Sequence, residues 1–323
     1  MQQDSLSQEP LELLGQTILP GQSATVNFNI ANLYTATKVE VPIIVERSKE
    51  PGPTVLITAG IHGDEVNGVE VVRQIIARGI NKPKRGTIIC IPILNVFGFL
   101  TMNRYFPDGK DLNRVFPGSK NGSLASRFAY QFVNEILPYV DLCLDFHAGG
   151  ADRFNAPQIR IEEGHEKLLE LAKVFNAPFT LFSKNLKKTY RTMCSKMQID
   201  MLLFEGGKSK NSNKDVAREG VEGTIRVLKH LNMLNENIEA PEPKDATVMI
   251  HKSAWLRAKY SGLLHLKVPY GAYIEKGAFI ATITDPYGTF RYKVKAPNSG
   301  YVINTNESPM VYQGDAIFHI TQE

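Results

Sequence analysis

Residues 54–72, TVLITAGIHGDEVNGVEVV, decide the fold class of this chain. The stretch opens with a β-branched apolar run at 54–58, which is typical of a strand buried on both faces. A turn containing glycine follows, and apolar residues then return at helical spacing from residue 66 onwards. The pattern predicts a strand, a tight turn and a helix. It places His62 and Glu65 at the carboxyl end of the strand, where open α/β sheets bind their ligands.

A second short apolar strand, predicted at 141–146, also ends in a histidine, His147. Two imidazoles and one carboxylate form the ligand set of catalytic zinc sites that leave one position open for water. Taken singly, such a histidine is more often a buried core residue, and acidic residues after a strand also suit the first turn of a helix. Because His62, Glu65 and His147 all follow strands of one predicted sheet, the sequence predicts a metal site.

A loop between these two strands contains glycine and proline, and it carries Arg104, Asn113 and Arg114. Guanidinium donors form a rigid fork that matches a carboxylate. The loop is therefore suited to holding a carboxylate and polarising a carbonyl. A solvated loop with surface cations is the alternative interpretation of each residue by itself.

A single glutamate, Glu205, follows the apolar strand predicted at 201–204 and precedes two glycines. A buried carboxylate is costly unless it is paired or used in chemistry. We therefore predict a catalytic base at this position, in preference to a structural ion pair.

Five short motifs occur in order along the chain: HGDE (62–65), NRY (103–105), DLNR (111–114), DFH (145–147) and FEGG (204–207). In this combination the chain resembles the succinylglutamate desuccinylase and aspartoacylase family, which is related to the zinc carboxypeptidases. The resemblance spans residues 54–234. It implies a doubly wound, mostly parallel sheet of zinc-carboxypeptidase type and one Zn²⁺ per chain.

The resemblance also implies a role for each motif residue. His62, Glu65 and His147 would be the zinc ligands, Arg104 would polarise the scissile carbonyl, and Glu205 would be the general base. The implied reaction is hydrolysis of a linear amide by zinc-activated water, so by this resemblance the protein would be a deacylase.

The substrate implied by the resemblance is a small N-acyl amino acid with a carboxylate. Asn113 and Arg114 would bind that carboxylate, and Arg191 is the nearest candidate for a further arginine that the family uses. Two alternatives stay open: a metallocarboxypeptidase that acts on a short peptide, and a non-catalytic binding protein on the same scaffold.

Composition limits the class of protein. The 323 residues, 43% of them hydrophobic, are enough for a sizeable core and about two domains. A net charge of +4 without a concentrated basic arm favours anionic substrates and predicts no nucleic-acid partner. Three cysteines in or near apolar stretches predict a reducing compartment. The start does not resemble a signal peptide and no apolar run reaches membrane-spanning length, so we expect a cytoplasmic protein without a membrane partner.

Strands alternate with helices along most of the chain, which predicts an α/β fold with a doubly wound, mostly parallel sheet. We predict four segments: an N-terminal β segment that joins the main sheet (1–50), a zinc-hydrolase catalytic domain (51–235), a polar linker (236–245) and a small all-β domain (246–323).

The small β domain resembles the barrel-sandwich fold of biotinyl and lipoyl domains. Its turn at 285–288, DPYG, lacks the exposed lysine that carrier domains modify, so we predict no swinging arm. A cap that narrows the mouth of the active site, or a contact within a homo-oligomer, is the role that we expect instead.

Overall fold

The computed structural model of the protein describes residues 9–32, 35–243 and 245–322. The remaining positions fall in the predicted N-terminal segment, linker and small β domain, and they lie outside the described residues. The α-helices are α1 (Val66–Ala77), α2 (Val96–Leu100), α3 (Leu124–Glu135), α4 (Glu166–Phe175), α5 (Tyr190–Lys196) and α6 (Lys214–His230). Across the described ranges, no helix is both long enough and apolar enough to cross a membrane.

The strands follow the chain from its N-terminal part to its C-terminal part. They are β1 (Leu11–Leu13), β2 (Gln16–Ile18), β3 (Ser23–Asn32), β4 (Lys38–Arg47), β5 (Thr54–Ala59), β6 (Thr87–Ile91), β7 (Leu142–Gly149), β8 (Arg153–Ile161), β9 (Phe179–Phe182), β10 (Asp200–Lys208), β11 (Val248–Ile250), β12 (Ser253–Arg257), β13 (Gly262–Leu266), β14 (Tyr273–Ile274), β15 (Phe279–Thr284), β16 (Arg291–Lys295), β17 (Gly300–Asn306), β18 (Met310–Val311) and β19 (Ala316–Thr321).

A mixed sheet of 13 strands forms the centre of the fold. Its main path runs in the order β12-β19-β17-β8-β10-β7-β5-β6-β4-β3. The central strands β10, β7, β5 and β6 pair in parallel. Antiparallel pairs extend the sheet on both sides, through β8 at one end and β4 at the other. The predicted α/β fold with a small C-terminal β domain is confirmed, and its parallel pairs are concentrated at the centre of the sheet.

Helices cover both faces of this sheet, as a doubly wound fold requires. Side chains of α1, α4 and α6 form one apolar core with the sheet, and side chains of α3 and α5 form a second core on the opposite face. Successive residues of a strand point to opposite faces. In β5, accordingly, Val55 and Ile57 belong to the first core, whereas Leu56 belongs to the second.

The turn after β5 brings the first predicted ligands to the edge of the sheet. Gly60 has a φ of +63°, a conformation that favours glycine. A Cβ on Gly63 would lie 1.9 Å from the carbonyl carbon of Gly98 in α2. The chain therefore passes too close to α2 for any side chain at this position, and the close packing fixes where His62 and Glu65 lie.

Aromatic packing on α3 stabilises the face of the sheet that carries the second core. Phe132 is fully buried, and its ring centroid lies 5.1 Å from that of Tyr190 and 6.2 Å from those of Phe116 and Phe128. We expect Phe132→Ala to lower the free energy of unfolding by about 3–5 kcal/mol, because it leaves a cavity in a close-packed core. Urea unfolding measures this loss. Leu100→Ala is the control, since that side chain is 75% exposed, and a comparable loss in both variants would contradict the packing.

The C-terminal strands divide between two sheets. Strands β13, β15, β16 and β18 form a separate four-stranded antiparallel sheet, whereas β12, β17 and β19 continue the main sheet. Strand β17 pairs with β8, and the register places Asn304 opposite Asn155. The C-terminal part is therefore hydrogen-bonded to the catalytic sheet, and the predicted domain boundaries stay a prediction.

Two elements beside the site were not predicted. Strand β8 was missed because buried polar residues and a proline interrupt its apolar alternation, as in RFNAPQIRI. Helix α5 begins at Tyr190, at the end of a Lys-rich stretch (184–191) without a helical apolar pattern. Residues 183–189 do form a connection beside the site, and Thr189 accepts a hydrogen bond from the backbone N–H of Thr192 at the start of the helix.

Candidate active site

A cavity of about 750 Å³ opens at the carboxyl ends of the parallel strands. All of the predicted site residues line it: His62, Glu65, Arg104, Asn113, Arg114, His147, Arg191 and Glu205. They reach the cavity from separate parts of the chain, because β5, β7 and β10 end side by side. The structure thus brings together every residue that the motifs singled out.

His62, Glu65 and His147 form a buried cluster at the floor of this cavity. The Nδ1 atom of His62 lies 2.6 Å from Oε1 of Glu65, and Nδ1 of His147 lies 2.9 Å from Oε2 of the same carboxylate. The backbone N–H of Ala148 donates to that second oxygen at 3.0 Å. One donor atom from each of the three side chains lies within 4.8 Å of the others. The cluster has the size and the donor types of a metal site.

Carboxylates behind the two imidazoles hold their rings in place. Asp111 Oδ1 lies 3.1 Å from Nε2 of His62, and Asp145 Oδ2 lies 2.8 Å from Nε2 of His147. Thr58 donates to the other oxygen of Asp145 at 2.7 Å. Metal-binding histidines usually pair their second nitrogen in this way, which fixes the ring and the tautomer.

The imidazoles and carboxylates of the cluster stabilise one another's charged forms. Burial lowers the pKa of His62 and His147, but the neighbouring carboxylates outweigh burial and raise both pKa values above the usual range. Burial raises the pKa of Glu65, but the two imidazoles outweigh burial and lower it. The pKa of Asp111 is also lowered, since His62 and Arg104 outweigh its burial. Buried anionic oxygens and imidazole nitrogens that converge in this way are suited to a divalent cation.

The loop that carries Arg104, Asn113 and Arg114, called the arginine loop below, is folded back onto the same cluster. Nη2 of Arg104 donates to Asp111 at 2.8 Å, and its Nη1 lies 3.4 Å from Glu65. The side-chain oxygen of Asn113 accepts a hydrogen bond from the backbone N–H of Tyr190 at 2.9 Å. Arg114 is exposed at the cavity and donates to the carbonyl of Asn113 at 2.6 Å. The loop therefore presents one guanidinium beside the cluster and another at the more exposed side of the cavity.

Arg191 lies on α5, next to Tyr190, and also lines the cavity. Its guanidinium donates to the carbonyls of Ser183 and Lys184 at 3.3 and 3.1 Å. Burial and the nearby charge of Arg160 lower the pKa of Arg191 to about 10. Two guanidinium groups thus face the same part of the cavity.

Glu205 lies on β10, directly opposite His147 in the register of the parallel strands. Asn155 donates to its Oε2 at 2.8 Å, and Nη1 of Arg160 lies 3.8 Å from its Oε1. The carboxylate is therefore adjacent to the His–Glu–His cluster and is held from the side by an amide.

The model of the succinylglutamate desuccinylase/aspartoacylase catalytic domain matches residues 51–231. This chain belongs to that family. An N-alpha-acetyl-L-2,4-diaminobutyric acid deacetylase from Halomonas elongata is 28% identical over 298 residues, which cover 88% of this chain and 86% of that protein.

Solved structures share the fold along nearly the whole chain. A succinylglutamate desuccinylase/aspartoacylase from Rhodobacter sphaeroides has a TM-score of 0.79 at 23% identity, covering 94% of this chain and 95% of that one. The product-bound ectoine utilization protein EutE (DoeB) from Ruegeria pomeroyi has a TM-score of 0.80 at 24% identity, covering 98% and 99% of the two chains. The fold of this member of the desuccinylase/aspartoacylase family is thereby confirmed.

The cavity of this family member is also lined by residues that were not predicted as site residues, among them Asn155, Arg160, Trp255 and Asn304. Asn155 and Arg160 come from β8, and the other two come from the C-terminal strands β12 and β17. The signal for the first two was the set of polar residues inside an otherwise apolar segment.

Trp255 stacks on His319 with ring centroids 4.4 Å apart. Burial of His319 and the nearby charge of Arg160 lower the pKa of His319 to about 4.

Proposed function

We propose that this chain is a zinc-dependent deacylase that hydrolyses the amide bond of a small N-acyl amino acid. One observation carries the proposal: the carboxylate of Glu205 lies beside a buried His62–Glu65–His147 cluster in a single cavity. The Halomonas relative is named as a deacetylase of an N-acetylated amino acid, and the family is named after a desuccinylase and an acylase. Both names support amide hydrolysis of this kind.

The residues present fit Zn²⁺. His62, Glu65 and His147 would hold one ion, because two imidazoles and a carboxylate, all buried and convergent, form a ligand set of catalytic zinc sites. Asp111 and Asp145 support the rings from behind. When bound, zinc supplies Lewis acidity, which activates a water molecule and polarises the scissile carbonyl.

The side chains around the cluster carry the remaining steps. Glu205 accepts the proton of the attacking water and later delivers it to the leaving amine. Arg104 donates hydrogen bonds to the oxygen on which negative charge develops, and Asp111 holds that guanidinium in position. The products are a carboxylate and a free amino acid.

The charge of the cavity wall favours an anionic substrate. Its cationic side chains outnumber its carboxylates, which are those of Glu65, Asp145 and Glu205. The cations are Arg104, Arg114, Arg153, Arg160, Lys184 and Arg191. Asn113 and Arg114 would bind the α-carboxylate of the substrate, and Arg191 would be a further guanidinium of the same cavity, since guanidinium groups bind carboxylates through two parallel hydrogen bonds.

Arg114→Ala tests the proposed carboxylate contact. Charge-assisted hydrogen bonds contribute about 1.5–3 kcal/mol, so we expect KM to rise by a factor of about 10 to 100, with a smaller change in kcat. Steady-state kinetics with an N-acyl amino acid measures both constants. Arg127→Ala is the matched control, because Arg127 lies on α3 outside this cavity. An unchanged KM in the Arg114 variant would remove that residue from the substrate site.

A substrate panel tests the proposed reaction itself. The zinc-loaded protein is incubated with N-acetyl and N-succinyl amino acids and with short peptides that have a free C-terminal carboxylate, and the released amine is quantified. Release from one acyl class supports the deacylase. Preferential release of C-terminal residues from peptides would favour the carboxypeptidase instead, and no release from any member would favour the binding protein.

A further inference from the structure

A chain of side-chain hydrogen bonds connects the C-terminal β domain to Glu205. Nδ2 of Asn304, on β17, donates to Oδ1 of Asn155 at 2.7 Å. Nδ2 of Asn155, on β8, donates in turn to Oε2 of Glu205 at 2.8 Å. Asn155 and Asn304 are 5% and 3% exposed, so solvent competes little for these bonds. The two asparagines are direct cross-strand partners, although 149 positions separate them in the chain.

The donor and acceptor roles in this series of hydrogen bonds follow from the carboxylate of Glu205 at its end. A general base acts as an unprotonated carboxylate, which only accepts hydrogen bonds. Asn155 must therefore turn its NH₂ group toward Glu205 and its carbonyl oxygen away from it. That oxygen meets the NH₂ group of Asn304, which fixes the orientation of the Asn155 amide. Each asparagine amide thus has one orientation in which both of these hydrogen bonds form.

The other carboxylate oxygen of Glu205 faces Arg160, which explains why the hydrogen bond from Asn155 is needed. Nη1 of Arg160 lies 3.8 Å from Oε1 of Glu205, just beyond hydrogen-bond distance. If the bond from Asn155 were lost, Glu205 would be free to turn toward Arg160 and convert this long ion pair into a direct hydrogen bond. That rotation would move the carboxylate from its place beside the His–Glu–His cluster.

We propose that Asn304, acting through Asn155, is a positioning residue for the general base, so that the C-terminal β domain completes the active site. The inference rests on the proposed function, in which Glu205 is that base. It gives the C-terminal domain a defined role. We call the hydrogen-bonded series Asn304–Asn155–Glu205 the relay, and strand β17 supplies its last side chain. A purely structural asparagine pair would leave kcat independent of Asn304.

Kinetics of single and double variants test the relay. We expect Asn304→Ala to lower kcat about tenfold with little change in KM, because the lost bond orients the base and does not bind substrate. Asn155→Ala is expected to lower kcat at least as much. The double variant should be no slower than Asn155→Ala alone, since Asn304 acts only through Asn155. Additive losses, or an unchanged kcat in Asn304→Ala, would overturn the proposal.

Asn306→Ala is the matched control on the same strand. The side chain of Asn306 donates to the carbonyl of Ala316 within the C-terminal domain, so its loss disturbs β17 without breaking the relay. We expect its kcat to equal that of the wild type. Thermal unfolding of each variant shows whether it is folded, and Asn155→Ala tests the same relay from β8 if Asn304→Ala does not fold.

A measurement without substrate separates this proposal from the proposed function. In protein labelled with ¹⁵N-asparagine, the side-chain NH₂ signal of Asn155 is identified by its loss in Asn155→Ala. We expect this signal to shift in Glu205→Gln and in Asn304→Ala, but not in Asn306→Ala. If the chemical shift of this signal does not change in Asn304→Ala, the relay is overturned even when the enzyme is active. An inactive wild type would overturn the proposed function, while the signal would still decide whether the relay exists.

Discussion

Replacing Glu205 by glutamine is expected to lower kcat by a factor of about 100 to 10,000, the usual contribution of a general acid–base residue. The amide has the shape of the carboxylate, and its oxygen still accepts the hydrogen bond from Asn155. It cannot take a proton from water at neutral pH. Because Glu205 is not one of the three clustered donors, the zinc content of the variant should equal that of the wild type.

Amine release under saturating substrate measures this loss, and elemental analysis of the same sample measures the metal. Glu166→Gln is the matched control, since Glu166 is exposed in the first turn of α4 and outside the cavity. A Glu205 variant that retains kcat within about tenfold of the wild type would show that another group moves the proton.

Replacing His147 by alanine is expected to abolish stoichiometric zinc binding and, with it, hydrolysis. The variant removes one of the three convergent donors and leaves the buried Glu65 carboxylate with a single imidazole partner. Asp145→Asn should have a graded effect, because it keeps all three donors and changes only the support of the His147 ring. Loss of such support typically weakens metal affinity about 10- to 100-fold.

Zinc titration against a competing chelator measures both affinities. His230→Ala is the control, because His230 ends α6 far along the chain from the cluster and does not line the cavity. If His147→Ala bound zinc as tightly as this control, the predicted ligand set would be wrong.

The parts of the site that were predictable from the sequence depend on local patterns. The strand–turn–helix at 54–72 is visible in its periodicity, and strand ends that face one edge of a sheet bring His62, Glu65 and His147 together. Glu205 was predictable because a lone carboxylate in an apolar strand needs a partner or a chemical role. The arginine loop was predictable as a unit, but the contact between Asp111 and His62 depends on how that loop folds back.

The remaining parts depend on pairing between distant segments. Asn155 contacts Glu205 only because β8 lies beside β10 in antiparallel register, and Asn304 contacts Asn155 only because β17 pairs with β8. No local pattern sets either register. The same limit explains why the C-terminal domain was expected to cap the site or to mediate oligomer contacts, while Trp255 and Asn304 were not named as residues that line the cavity. The domain boundaries, the homo-oligomer and the cytoplasmic location stay predictions.

We propose above that the His62–Glu65–His147 cluster binds a catalytic zinc ion. The most direct measurement combines elemental analysis of the purified protein with amine release before chelation, after chelation and after zinc is restored. We predict about one zinc per chain, loss of amine release with the metal, and recovery when zinc is added back. Amine release that persists at full rate in metal-free protein would show that hydrolysis does not depend on zinc.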